Sequence, residues 1–281
     1  MPNTTLVHHI RTNVRTAIEE DVGSGDLTAQ LIAELAQASA TVITREAAVI
    51  CGTLWFEECF LSQDPNCKIT WKVQEGALAE ANQTLCEIYG NARALLTAER
   101  PALNFLQTLS AVATQTRRYV DATQGTSAKI LDTRKTLPGL RMAQKYAVKV
   151  GGGHNQRIGL FDGVLIKENH IAAAGGISKV LEHAFRITPL GVSIQIEVET
   201  MAQLDEALNS GAKLILLDNF SLADMRLAVS HAANRAELEA SGGITLENVH
   251  LVAETGVDRI SIGALTKDIK AVDLSMRIQL P

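Results

Sequence analysis

A chain of 281 residues with 46% hydrophobic content has room for one large domain or two moderate ones. A net charge of −5 and only 4% aromatic residues exclude a broad nucleic-acid surface, which needs positive charge and stacking rings. No stretch approaches the ~20 apolar residues of a membrane span. The amphipathic, charge-broken opening lacks a signal peptide's apolar segment, so a cytoplasmic protein is expected.

In chain order, Leu6, Ile10, Val14 and Ile18 recur at every fourth position, which predicts a helix from Leu6 to Glu19. A turn-rich segment follows over 21–28. Strands are expected over 40–51 and 68–73, with an ambiguous segment at 76–89. Thr97 reads as the cap of a helix through 102–109, with Pro101 in its first turn, where a missing N–H is tolerated. Four cysteines, at 51, 59, 67 and 86, form no C-x-x-C pair and read as reduced, apolar-like thiols.

From about residue 128 the pattern changes. Short branched-apolar runs recur at 128–132, 163–167, 193–198, 213–218, 237–241 and 259–263, separated by helical stretches such as 201–209 and 246–254. Strand and helix alternating without hairpin turns predicts a parallel α/β sheet, and six runs with room for one more favour a (β/α) barrel. An open doubly wound sheet is the alternative. Each run ends in polar or glycine residues: Asp132-Thr133-Arg134-Lys135, Lys167, Glu197 with Glu199, Asp218, Ser241-Gly242-Gly243 and Gly263-Ala264. In a barrel those ends converge on one mouth, where active sites sit.

Seven basic residues lie between 134 and 167 against one acid, Asp162. Such a cluster on an acidic protein suits a small polyanion held in a pocket. Arg134, Lys135, Arg157 and Lys167 would pair with substrate carboxylates or phosphates. Lys135 or Lys167 as a Schiff-base lysine is the competing reading. Arg141, Lys145 and Lys149 share one helix face and read as solvated. The Ser241-Gly242-Gly243 and Gly263-Ala264 turns suit phosphate, with the following helix ends adding positive potential. Glu197 and Asp218 suit Mg²⁺ held directly or through water, an acid/base pair, or plain salt-bridged carboxylates. Glu199 falls on the same strand face as Glu197 and is a neighbouring candidate. Of the histidines, His154 and His170 lie near the mouth, and His154 is a candidate substrate contact.

D-T-R-K-T-L-P-G-L-R-M-A-Q-K-Y-A-V-K-V-G-G-G, from Asp132 to Gly153, resembles the quinolinate phosphoribosyltransferases, the carboxylating nicotinate-nucleotide pyrophosphorylases. So do L-I-K-E-N-H-I from Leu165, I-E-V-E from Ile196, L-L-D-N-F from Leu216, A-S-G-G-I from Ala240 and G-A-L-T from Gly263. E-D-V-G-S-G-D-L-T from Glu20 and A-E-R-P-A-L-N-F-L-Q from Ala98 extend the likeness over nearly the whole chain.

The resemblance implies an N-terminal α/β sandwich-like domain at 1–110, with the tail 266–281 packing on it. It implies an incomplete α/β barrel of about seven strands at 111–265. It implies phosphoribosyl transfer from 5-phosphoribosyl 1-diphosphate to quinolinate with decarboxylation, and a need for Mg²⁺. A homodimer with shared active sites follows, or a larger assembly built from it. Lys135, Glu197 and Asp218 become the catalytic candidates. Thr133, Arg134, Lys135, Arg157 and Lys167 become substrate contacts, and Arg100 the arginine lent across the dimer. Ser241, Gly242, Gly243, Gly263 and Ala264 become the 5′-phosphate cradle. Two positions depart from the pattern. Gln156 stands where the family motif G-G-G-x-N-H-R has histidine, and Pro101 replaces a common threonine. Glutamine still donates a hydrogen bond but carries no charge, and His154 is a candidate to compensate. A related transferase acting on another anionic acceptor, a Schiff-base aldolase and a non-catalytic binder are the alternatives.

Overall fold

The computed structural model describes residues 4–279. The first half runs α1 (Thr4–Val22), β1 (Gln37–Thr44), β2 (Ala48–Val49), α2 (Thr53–Gln63), β3 (Lys68–Trp71), β4 (Leu78–Ala79), β5 (Thr84–Asn91) and α3 (Ala92–Ala122). The second runs β6 (Lys129–Leu131), α4 (Arg141–Val150), β7 (Gly163–Ile166), α5 (Glu168–Ala174), α6 (Ile177–Ile187), β8 (Ser193–Val198) and α7 (Met201–Asn209). It continues with β9 (Leu214–Asp218), α8 (Leu222–Ala232), β10 (Glu237–Ser241), α9 (Val249–Ala253), β11 (Arg259–Ser261), α10 (Ala264–Lys267) and β12 (Leu274–Gln279). Two compact units result. One holds the chain up to Arg117, Leu137–Gly152 and the segment from Thr266 onward; the other holds Arg118–Thr136 and Gly153–Leu265. Residues 137–152, which the sequence boundaries put with the barrel, cluster with the first unit.

The first unit is built on an antiparallel sheet of order β12-β1-β5-β3. Along β1 every second residue, Ala38, Ala40, Val42 and Thr44, is buried, as a one-sided sheet requires. The tail strand β12 pairs with β1 from Ser39↔Gln279 to Thr44↔Leu274.

Helix α3 departs from expectation. It starts at Ala92 and runs through Thr97 and Pro101, so Thr97 is an interior residue whose hydroxyl donates to Arg93 carbonyl and Asp26. An interior proline forfeits one backbone bond. The buried stripe Leu95, Ala98, Ala102, Leu106, Leu109 and Ala113 supplies the burial that offsets it. On α4, Lys145 is buried, so the solvated-face reading fails at that position. The four cysteines are free and buried; burial pushes the thiols of Cys59 and Cys67 up to about 12 and about 11.

The second unit holds six parallel strands in the order β6-β11-β10-β9-β8-β7. Beyond β6, His154 forms a parallel bridge with Leu131: its N–H donates to Ile130 carbonyl, and its carbonyl accepts from Asp132 N–H. This single bridge is the only added pairing at that edge among the described residues; the expected seventh strand is not formed as a strand there. Arg157 then donates through Nη1 to Gly163 carbonyl at the start of β7, at 3.0 Å. Residues 154–157 thus link the two ends of the sheet. A seam held partly by side chains replaces a full ladder, which makes the barrel incomplete. The core is aliphatic: Ile130, Ile166, Ile196, Val198, Ile215, Leu217, Leu238, Ala240 and Ile260 are all buried.

Candidate active site

Parallel strands place all six C-terminal ends on one edge. Ile166 is level with Ile196, so Lys167 follows beside Glu197. Asp218 is level with Ser241. β11 is level with β6 at Ser261↔Leu131, and Ile262 N–H donates to Leu131 carbonyl. The loops beyond are consequently adjacent: a Cβ built on Gly263 would stand 2.9 Å from Lys135 Cδ and 3.6 Å from Thr133 Oγ1. Thr133 Oγ1 accepts Lys135 N–H at 3.0 Å and tightens that turn.

At the seam, fully buried Asp132 accepts Gln156 N–H at 2.9 Å and the Asn155 side-chain amide. Asp162 accepts the N–H groups of Ile158 and Gly159, both at 2.8 Å. Arg157 is thereby held between two carboxylate-pinned segments. Its Nε is buried and makes no hydrogen bond to the described residues. Burial, then the neighbouring Arg134 guanidinium, lower its pKa from the ordinary arginine value, and Asp162 partly opposes them.

Lys167, with no matching acid within the 134–167 stretch, finds one on the next strand of the sheet. Its Nζ contacts Glu197 Oε2 at 2.8 Å and Oε1 at 3.2 Å, across 30 positions of sequence. Glu197 is buried and the lysine half-exposed. Asp218 is half-buried and accepts the Asn219 side-chain amide at 2.9 Å. Glu199 lies past the end of β8 in a bend, exposed, with its N–H on Gln203, so strand alternation does not extend to it.

The glycine side is shaped by backbone. Gly242 has φ +98°, and a Cβ there would fall 2.1 Å from Asn219 Oδ1. Asn219 itself has φ 56° and donates its N–H to Ser241 carbonyl at 2.9 Å. Gly243 (φ +61°) has open space where a Cβ would be. Asn248 donates to Gly243 carbonyl, and a cavity of about 260 Å³ opens between Asn219, Gly242, Gly243 and Ile244. The helix-end contribution expected from sequence falls away. α9 begins only at Val249 and spans five residues, while α10 spans four. Any phosphate grip here comes from loop amides.

His154 is held by its backbone bridge with its side chain exposed, and His170 Nδ1 accepts Lys167 N–H. Arg100 is exposed on α3 in the first unit. Gln156 turns its amide onto Glu239 Oε1 at 2.6 Å. Sequence reasoning passed over Asp132 as a side-chain anchor, and also Asn219, Gln195 and Glu239. A signal for the last was present: an acid in the middle of a buried strand, E-L-E-A-S, is costly without a purpose.

The family model "Quinolinate phosphoribosyl transferase, C-terminal domain" matches residues 112–277, and its N-terminal counterpart matches 26–110. The probable carboxylating nicotinate-nucleotide pyrophosphorylase of Bacillus subtilis is 41% identical over 93% of this chain and 90% of its own. The carboxylating nicotinate-nucleotide pyrophosphorylase of Mycobacterium leprae is 42% identical over 95% and 96%. The solved nicotinate-nucleotide pyrophosphorylase of Francisella tularensis superposes with a TM-score of 0.94 at 45% identity, covering 97% of each chain.

Proposed function

The chain belongs to the quinolinate phosphoribosyltransferase family, and from that premise we infer that it transfers the phosphoribosyl group of 5-phosphoribosyl 1-diphosphate to quinolinate. The products are nicotinate mononucleotide, pyrophosphate and CO₂. The observation that carries this reading into the site is the Arg134–Arg157 pair. Two guanidiniums whose charges act on one another at the barrel seam suit the two adjacent carboxylates of quinolinate. The Ser241-Gly242-Gly243 loop and Gly263 are the proposed seat of the 5′-phosphate, with Lys135 beside Gly263 facing the diphosphate.

Attack of the pyridine nitrogen on the anomeric carbon forms the N–C bond as the C–O bond to diphosphate breaks. The transition state carries oxocarbenium-like charge. Glu197 and Asp218, on neighbouring strand ends, stabilise that charge. The alkylated nitrogen is cationic, so the ring accepts the electron pair left when the adjacent carboxylate departs as CO₂. A solvent proton then takes the vacated carbon. The arginines contribute by orientation.

Among the described residues no three His, Cys, Asp or Glu side chains converge to cage a metal. Asp218, which accepts the Asn219 amide, fits a direct Mg²⁺ carboxylate, and Glu197, paired with Lys167, fits one acting through water, with substrate phosphates completing the set. Bound there, Mg²⁺ would supply charge neutralisation of the leaving diphosphate. Both oxygens of Glu197 occupy the Lys167 Nζ, which disfavours a Schiff-base role.

The proposed assembly is a homodimer, with Arg100 of one protomer completing the partner's site, in the cytoplasm. Large exposed apolar residues suit such an interface: Leu27, Leu31 and Leu35 in the first unit, Leu160 and Phe161 in the second. No described helix is long and apolar enough to cross a membrane. Incubation with quinolinate, phosphoribosyl diphosphate and Mg²⁺ should release CO₂ and nicotinate mononucleotide in equal amounts; absence of both products overturns the reading. For the shared site, mixing an Arg100→Ala chain with a Lys135→Ala chain should restore activity in verified heterodimers.

A further inference from the structure

Strand alternation puts Gln195 on the same face of β8 as Glu197, and Glu239 on the same face of β10 as Ser241. Each lies two residues, or about 6–7 Å, deeper than its neighbour at the mouth. Interior layers of parallel barrels are filled mainly by branched aliphatic side chains. This layer is polar. Glu239 is 1% exposed, and its carboxylate accepts Gln156 Nε2 at 2.6 Å and Gln195 Nε2 at 2.9 Å. Gln156 Nε2 also lies 3.3 Å from Gln195 Oε1. Both hydrogens of the Gln156 amide are therefore directed inward, and the donor that the sequence suggests for the substrate is engaged in the barrel floor.

Position 156 immediately precedes Arg157. Its backbone is pinned by Asp132, and its side chain by Glu239. We propose that Glu239 is a positioning residue for quinolinate: through Gln156 it fixes the seam segment and so aims the Arg157 guanidinium. The proposal rests on the quinolinate-transferase reading. A buried carboxylate is costly, and this one is bound to the side chain of the residue immediately before Arg157. Without it, the Gln156 amide loses its carboxylate acceptor, and the side chain before Arg157 is no longer fixed, leaving the backbone contacts to Asp132 and the Gly163 contact of Arg157.

Steady-state kinetics on the full-length protein test this. Glu239→Gln, nearly equal in volume, should raise the quinolinate KM about tenfold while kcat and the phosphoribosyl diphosphate KM change by less than about twofold. Gln156→Met should do the same. Because one residue acts through the other, the double variant should be no worse than the worse single variant. A parallel rise in both KM values, a fall in kcat alone, or additive effects in the double variant would overturn the proposal. If Glu239→Gln fails to fold, Gln156→Met decides alone, and an unchanged quinolinate KM there ends the idea. Lack of turnover by the wild type would remove the transferase reading itself. Turnover with unaffected variants removes only the positioning role.

Discussion

At the seam, charge is carried by side chains: Arg134 and Arg157 stand on the loops around β6, and Lys167 follows β7. Across β9 to β11 the arrangement is reversed. Ser241, Gly242, Gly243, Gly263 and Ala264 bring no charged group, and the surface there is shaped by positive-φ backbone and the Asn219 wedge. On the proposed function, the same edge of one sheet would offer two kinds of anion recognition. Guanidiniums on flexible stems need external aiming, which explains the carboxylates that pin the segments around Arg157. Backbone amides are aimed by the fold and need only that nothing fill their space.

The contrast predicts that the glycine side fails when atoms are added and the seam when they are removed. The largest effect belongs to Gly242→Ala: a strained φ and an overlap with Asn219 should lower kcat/KM on the order of a thousandfold, with the phosphoribosyl diphosphate KM rising most. Next come Arg157→Ala and Arg134→Ala. By calorimetric titration each should weaken quinolinate binding roughly 100-fold and phosphoribosyl diphosphate binding under about threefold. Equal losses for both ligands would break the division between the two sides. Gly263→Ala lies in ordinary backbone but crowds the Lys135 stem, which can give way; about a tenfold rise in the diphosphate KM is expected, with quinolinate unaffected.

The smallest effect concerns pH. Burial, partly opposed by hydrogen bonds, raises the Glu239 pKa above the ordinary glutamate value of 4.5. A carboxyl raised in the folded state contributes stability below its unfolded pKa and loses it as pH climbs through its folded pKa. Glu239→Gln removes that loss. Thermal melts from acid to neutral pH should show the variant gaining on the wild type across that window. A constant difference would mean that Glu239 is not perturbed.

Much of this was legible beforehand. The runs ending at Leu131, Ile166, Val198, Asp218, Ser241 and Ser261 are strands within a residue or two of expectation. A strand buried on both faces writes a continuous apolar run, and its polar terminus marks the mouth. What was illegible was pairing across distance. Lys167 looked unmatched because Glu197 lies 30 residues away. Pro101 looked like a helix start because local geometry favours that, whereas packing along α3 carried the helix through it. Glu199 looked like a strand residue until the strand stopped one position short.

By itself, the sequence determined the order of elements, the family and the chemical types gathered at the strand ends, since periodicity and residue identity are local properties. Only the tertiary structure decided which groups face one another: that Gln156 turns inward to Glu239, that residues 154–157 close the seam, and that Asn219 excludes a side chain at Gly242. Those depend on strand register and on which face each residue takes, and both are set by the packing of the whole sheet.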